Sequence, residues 1–159
     1  MSHQRKTWQE KLTDSKGHPT VFEISDKQSK RWGAGTCVIP CPIEVNELMR
    51  CVPEGKVTTI DEMRKTLAQR HRTTIACPIT TGIFSWIAAH AAAEAEAEGK
   101  IRTMCYWRTL KSDGEINPKY PGGILELKRK LAAEGHKILH KRKRYFVAGF
   151  EQKLAKLVA

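Results

Sequence analysis

The 159-residue sequence predicts a mainly α-helical chain with one small β-hairpin, built around two consecutive helices. Three observations carry this prediction. Thr59-Ile60-Asp61-Glu62 matches a capping box, and Met63 and Leu67 fall on one face of the helix it opens. An alanine-rich run with strong helix propensity follows from Thr80 or Thr81 and stops at Gly99. Lys137–His140 and Tyr145–Val147 alternate like strands on either side of Lys141-Arg142-Lys143-Arg144, which places a basic tetrad at a hairpin tip. The outline is a helix-turn-helix with a wing-like hairpin.

Taken in order, residues 1–42 are polar and poorly periodic. Residues 1–40 are expected to form a partly irregular N-terminal extension, with a short strand at Val21–Ile24, a loop at Gly33-Ala34-Gly35, and Trp8 and Trp32 docked on the body. At Pro42, which suits a first helical position, the pattern changes: Ile43, Val45, Leu48, Met49 and Val52 recur at helical spacing until Pro53. Pro53-Glu54-Gly55 reads as a turn and Lys56-Val57-Thr58 as β-prone. The helix capped by Thr59 is expected to end near Gln69, before the basic turn Arg70-His71-Arg72. In the second helix, Ile79, Ile83, Trp86, Ile87 and His90 trace one broad face. Glu94, Glu96 and Glu98 crowd its end, where acidic groups oppose the macrodipole; solubility or a basic partner is the expected reason.

Ile101–Leu110 reads as a strand, Ser112-Asp113-Gly114 as a turn. Tyr120-Pro121-Gly122-Gly123 opens a further helix, with Ile124, Leu127 and Leu131 inward and Gly135 as its stop. Phe150, Leu154 and Leu157 suggest a short last helix. The organisation expected is 1–40, a helix-turn-helix domain at 41–136, and a basic hairpin with C-terminal helix at 137–159.

The net charge is +11, and residues 128–159 alone hold ten basic and two acidic side chains. A field so concentrated favours a polyanion, through counterion release at phosphates. The basic segments lack bulky apolar partners, which argues against a membrane surface. The longest apolar stretch, Ile83–Ala93, contains Ser85 and His90 and is too short to span a bilayer. The first residues lack the apolar region of a signal peptide, so a cytoplasmic protein is expected. Five cysteines are an odd number, and Cys37-x-x-x-Cys41 has no second pair at zinc-ligand spacing; neither a disulfide framework nor a metal or other cofactor is expected.

From Cys41 to Gly135 the order of motifs resembles the DNA-binding domain of alkylguanine-DNA alkyltransferases and their non-catalytic alkyltransferase-like relatives. Val52-Pro53-Glu54-Gly55-Lys56-Val57-Thr58-Thr59 looks like the approach to the first helix of that family's helix-turn-helix. Cys105-Tyr106-Trp107-Arg108-Thr109 falls where the family has Pro-Cys-His-Arg-Val. Asp113-Gly114, Tyr120-Pro121-Gly122-Gly123-Ile124, Lys128, Leu131 and Glu134-Gly135 look like its closing motifs. The resemblance implies a winged-helix-like fold that enters the minor groove and takes a damaged nucleotide into a pocket. It puts Tyr106 at the nucleophile position, Trp107 at the base, Glu134 at the glutamate, and Tyr106, Trp107, Arg108, Tyr120, Gly122 and Gly123 around the lesion.

Ile60 replaces a tyrosine, and Thr80-Thr81-Gly82-Ile83 holds no arginine where the family has one to fill the gap left by an extruded base. Alkyl transfer needs a thiolate; a phenol with a pKa of about 10 substitutes poorly and an indole is no base. The expectation is therefore a DNA-binding, repair-related alkyltransferase-like protein that binds damaged duplex DNA without alkyl transfer. Its expected DNA contacts are Thr59, Arg70, Arg72, Thr80, Thr81, Gly82, Ser85, Lys128, Lys141, Arg142, Lys143 and Arg144, and a repair protein is a further candidate partner. Two alternatives stand beside it: a divergent methylated-DNA–protein-cysteine methyltransferase using Cys105, and a protein- or RNA-binding module.

Overall fold

A computed structural model describes residues 4–159. Helices dominate. α1 (Trp8–Thr13), β1 (Thr20–Glu23), α2 (Asp26–Trp32) and β2 (Thr36–Ile39) precede α3 (Pro42–Arg50). β3 (Thr58–Thr59), α4 (Ile60–His71), β4 (Ile75–Ala76) and α5 (Pro78–Ala97) form the centre. A 3-10 turn (Tyr106–Arg108), β5 (Thr109–Leu110), α6 (Gly123–Ala133), β6 (Ile138–Lys141), β7 (Arg144–Val147) and a last 3-10 turn (Phe150–Lys153) complete the chain. The fold class is the one the sequence predicts, mainly helical with a basic hairpin. No helix among the described residues is long and apolar enough to cross a membrane.

α5 is the axis of the core. Thr81, Phe84, Ser85, Ala88, Ala91, Ala92 and Ala95 form its buried stripe, and the alanines let α3 and α1 approach closely. The broad apolar face expected on this helix is split. Ile87 is buried, whereas Ile79 and Ile83 are 57% and 47% exposed and border a groove with Trp86 and His90. The acidic end of α5 finds its partner within the chain. Glu94 Oε2 and Oε1 accept from the backbone N–H groups of Trp8 and Gln9 at 3.0 and 3.2 Å, so its carboxylate serves the positive end of α1. Trp8 stacks on His90 at 4.4 Å and meets Trp86 edge-on, which fastens the N-terminal residues to the same helix.

Three small sheets brace the helices. β2 pairs antiparallel with β1 and parallel with β4, so the connection between α4 and α5 carries a strand and is longer than a simple turn. β3 pairs parallel with β5. The Thr59 hydroxyl accepts from Glu62 N–H at 3.2 Å, but the return bond of the capping box is absent because Glu62 pairs with Lys65 instead. α4 runs on to His71, past the expected end at Gln69, and closes on Arg72 with φ +55°.

Two expected elements differ. Ile101–Leu110 is not a strand: Ile101 is 95% exposed, Met104 and Tyr106 both turn into the core, and only Thr109–Leu110 pairs. Alternation of apolar residues here reflects a chain that coils to insert two large side chains on one side. The last helix is only a 3-10 turn, because Val57 takes the following residues as a strand partner (Val57 N–H to Lys153 O 2.9 Å, Ala155 N–H to Val57 O 2.8 Å).

Candidate nucleic-acid interface

The motif residues converge in space. Tyr106, Trp107 and Arg108 stand on one 3-10 turn, and Glu134 caps the C-terminus of α6 beside them. Trp107 Nε1 donates to Glu134 Oε1 at 3.0 Å, and Arg108 Nε donates to the same oxygen at 2.6 Å. Arg108 Nη1 donates to the Val52 carbonyl at 2.9 Å, tying in the end of α3. Both charged side chains are largely buried, at 14% and 7% exposure. Lys130 Nζ lies 4.2 Å from the Trp107 ring centre and covers it. The carboxylate is thus occupied by an indole and a guanidinium, neither of which accepts a proton.

Two of the residues that the resemblance places around a lesion are buried. Tyr106 and Tyr120 are 4% and 3% exposed, meet edge-to-face at 6.3 Å, and belong to the core. The Tyr120 hydroxyl donates to Ser85 Oγ at 3.1 Å, and Ser85 donates to the Gly82 carbonyl at 2.8 Å. Burial pushes the Tyr120 phenol up to about 12 and raises that of Tyr106, with Glu96 and Glu126 adding to the latter. Burial also raises the Cys105 thiol, only partly opposed by Arg108, so this sulfur stays protonated at neutral pH. Gly122 and Gly123 take φ +91° and +76° and build the bend before α6.

The hairpin is anchored on the 111–119 segment. Ile116 N–H donates to Tyr145 O at 2.8 Å and Val147 N–H donates to Gly114 O at 3.1 Å. Gly114 sits at φ +87°, and a Cβ there would meet the Phe150 ring at 2.4 Å, so the turn admits only glycine. The other side of the same segment borders the α5 groove, a space of about 880 Å³ lined by Ile60, Ile79, Ile83, Trp86, Lys111 and Lys119 among others. The 111–119 segment thus touches both the hairpin and the groove.

The sequence-predicted contacts divide sharply. Lys141, Arg142 and Lys143 are exposed at the hairpin tip and make no ion pair among the described residues. Arg144 does not share that freedom: its guanidinium binds Glu115 Oε1 at 2.7 Å and Asp113. Lys128 lies over the Tyr145 ring at 4.1 Å, and His140 stacks on the same ring at 4.3 Å. Arg70 and His71 turn to Glu44, at 3.4 and 2.7 Å. Thr59, Thr81 and Ser85 are buried (2%, 0% and 1% exposed): the first two bond backbone at the starts of α4 and α5, and Ser85 lies inside α5. Thr80 and Gly82 are half-buried, and Arg72 is exposed.

Sequence reasoning missed α2. Lys27 and Arg31, with Trp32 and Ile79, line a second groove. The signal available was the Ser25-x-x-Gln28 capping box, formed in full here, which marks a helix in a segment read as irregular. Among the described residues no cluster of three or more His, Cys, Asp or Glu side chains could hold a metal ion.

No protein-family model matches the chain, and comparison with curated proteins finds no relative. Comparison with solved structures returns two complexes with DNA. A structure of S. pombe Atl1 in complex with damaged DNA containing O6-carboxymethylguanine is 19% identical, with a TM-score of 0.47, covering 72% of this chain and 94% of that one. A structure of S. pombe ATL in complex with DNA is 17% identical, with a TM-score of 0.46 and the same coverage.

Proposed function

We propose that this protein binds duplex DNA without alkyl transfer, as a divergent alkyltransferase-like protein whose lesion pocket has become core. The observation that carries this reading is the run of unpaired cations, Lys141, Arg142 and Lys143, on a hairpin fastened to the segment that borders the α5 groove. Exposed cations free of carboxylates release phosphate counterions without breaking ion pairs of their own. Arg144, held by Asp113 and Glu115, fixes the hairpin's attitude toward that segment.

The chemistry of the motif residues argues against transfer through the family geometry. The phenol of Tyr106 is buried and protonated, Trp107 has no lone pair to take a proton, and Glu134 is saturated by donors. A base extruded toward Tyr106 would have to displace core side chains, so capture of a lesion adds little to affinity.

Anisotropy of a labelled duplex tests the reading. Binding is expected to weaken linearly with log salt, with equal affinities for unmodified and O6-alkylguanine duplexes. Incubation with labelled alkylguanine DNA is expected to leave the protein unlabelled. Label that appears on the wild type and disappears in Cys105→Ala would establish the enzyme instead.

A further inference from the structure

The last turns of α5 border a small cavity that duplex binding leaves unused. It lies between α1, α3, α5 and the segment at 100–104, and its volume is about 90 Å³. Ala91, Ala92 and Ala95 leave the space open, because no side chain longer than a methyl group fills it from α5. Asn46, on α3, lines the cavity and is only 5% exposed. Its amide has no hydrogen-bond partner among the described residues, whereas the Gln9 amide beside it donates to the Ala91 carbonyl at 2.7 Å. A buried amide left unpaired destabilises the fold unless a ligand or water completes it. Arg50, Lys100 and Arg102 line the same cavity, each is exposed, and none pairs with a carboxylate among the described residues. No acidic side chain among the described residues lines it. Glu94, next to Ala95 in the chain, is turned to the α1 backbone.

We propose that this cavity binds a small tetrahedral oxyanion of the phosphate class, with the Asn46 amide donating from inside and Arg50, Lys100 and Arg102 neutralising the charge at the rim. Guanidinium forks match the edges of such an ion and supply charge-assisted hydrogen bonds. A water takes about 30 Å³ of the liquid, so the space suits a few waters or one such ion and is too small for a nucleoside. Water alone would complete the amide but leave three cations gathered around one space without a counter-charge. The C-terminus of α5 adds a partial negative charge of about half a unit, which three full cations outweigh. The site does not rest on the duplex-binding reading: its cations are not those of the hairpin tip, and Ala91, Ala92 and Ala95 lie toward the other end of α5 from Ile79. A bound anion joins three helices to the segment that leads into the Tyr106 turn, so it stabilises the folded chain by mass action.

The test follows the side-chain NH2 resonances of Asn46 in the full, nitrogen-15-labelled chain as inorganic phosphate replaces sodium chloride at constant ionic strength. That pair and the backbone amides of residues 100–103 are expected to shift along one saturable curve, half-complete at about 1 mM or below. The unfolding midpoint is expected to rise over the same range. Lys100→Ala/Arg102→Ala, changed only at exposed positions, is expected to keep the remaining resonances and to bind phosphate about tenfold or more weakly. Asn46→Asp, which puts a carboxylate of the same shape into the cavity, is expected to abolish saturation. An Asn46 NH2 pair that phosphate does not move leaves the cavity to water and overturns the proposal. Shifts that stay linear and equal in wild type and the double variant overturn it too, as do saturable shifts confined to Lys141, Arg142 and Lys143.

Discussion

Two regions of this molecule carry opposite relations between motif and chemistry. The Tyr106–Trp107–Arg108–Glu134 cluster holds the residues that most resemble a reactive site, and all of them are engaged: buried, hydrogen-bonded to one another, or roofed by Lys130. The hairpin tip, the start of α5 and α2 match no motif, and Lys141, Arg142, Lys143, Ile79 and Lys27 are exposed there. The first region is a clamp joining the ends of α3 and α6. The second keeps cations and apolar groups in solvent with no partner among the described residues.

Breaking the clamp should give the largest effect. Glu134→Ala leaves Arg108 charged and largely buried without its carboxylate, and a loss of about 3–5 kcal/mol is expected in urea unfolding. If the cluster were a site and not a clamp, stability would hold. Reversing the charges of Lys141, Arg142 and Lys143 to Glu should leave the unfolding midpoint unchanged. It should lower duplex affinity by about a hundredfold and flatten the slope of log K against log salt by about one unit for each phosphate no longer engaged. Arg144→Ala should do the reverse, loosening the hairpin and barely changing the salt slope, because that guanidinium is already paired.

Gly114→Ala sharpens the coupling between the regions. Strain at φ +87° and the clash with Phe150 should cost about 1–3 kcal/mol and weaken DNA binding through the displaced hairpin. The smallest effects are those of pH. His136 is 5% exposed with neither ring nitrogen hydrogen-bonded, and burial, helped by Lys153, holds its pKa below the ordinary 6.5. The unfolded chain therefore takes up this proton first, so stability is full above about pH 6.5 and falls as pH drops below it. His136→Phe should flatten that acid limb. At the other end the buried phenols of Tyr106 and Tyr120 ionise later than in the unfolded chain, so stability falls as pH rises above about 10. An absorbance titration of the phenolates reads this directly.

Much of the fold was legible in sequence because its signals are local. Pro42 opens α3, Thr59 caps α4, Gly99 and Gly135 follow α5 and α6, and the basic tetrad sits at the tip of the hairpin as its alternating flanks indicate. Non-local pairings were not legible. Glu94 opposes the dipole of its own helix, and only the approach of α1, dozens of residues earlier in the chain, gives it a role. β2 is a strand because it pairs with β1 on one side and β4 on the other, and β4 because it pairs with β2, not through any strong pattern of their own. In the site, the meeting of Trp107, Arg108 and Glu134 could be foreseen from the motif order. The burial of Tyr106, Thr81 and Ser85 could not, because a tyrosine, a threonine or a serine reads alike on a surface and in a core.

The most direct test of the central claim is the salt dependence of binding to two duplexes of one sequence, with and without O6-alkylguanine, measured side by side. The account predicts two steep, superimposable lines that both flatten in the Lys141/Arg142/Lys143 charge-reversal variant. Salt-independent binding, or a line for the damaged duplex lying well above the other, would contradict it.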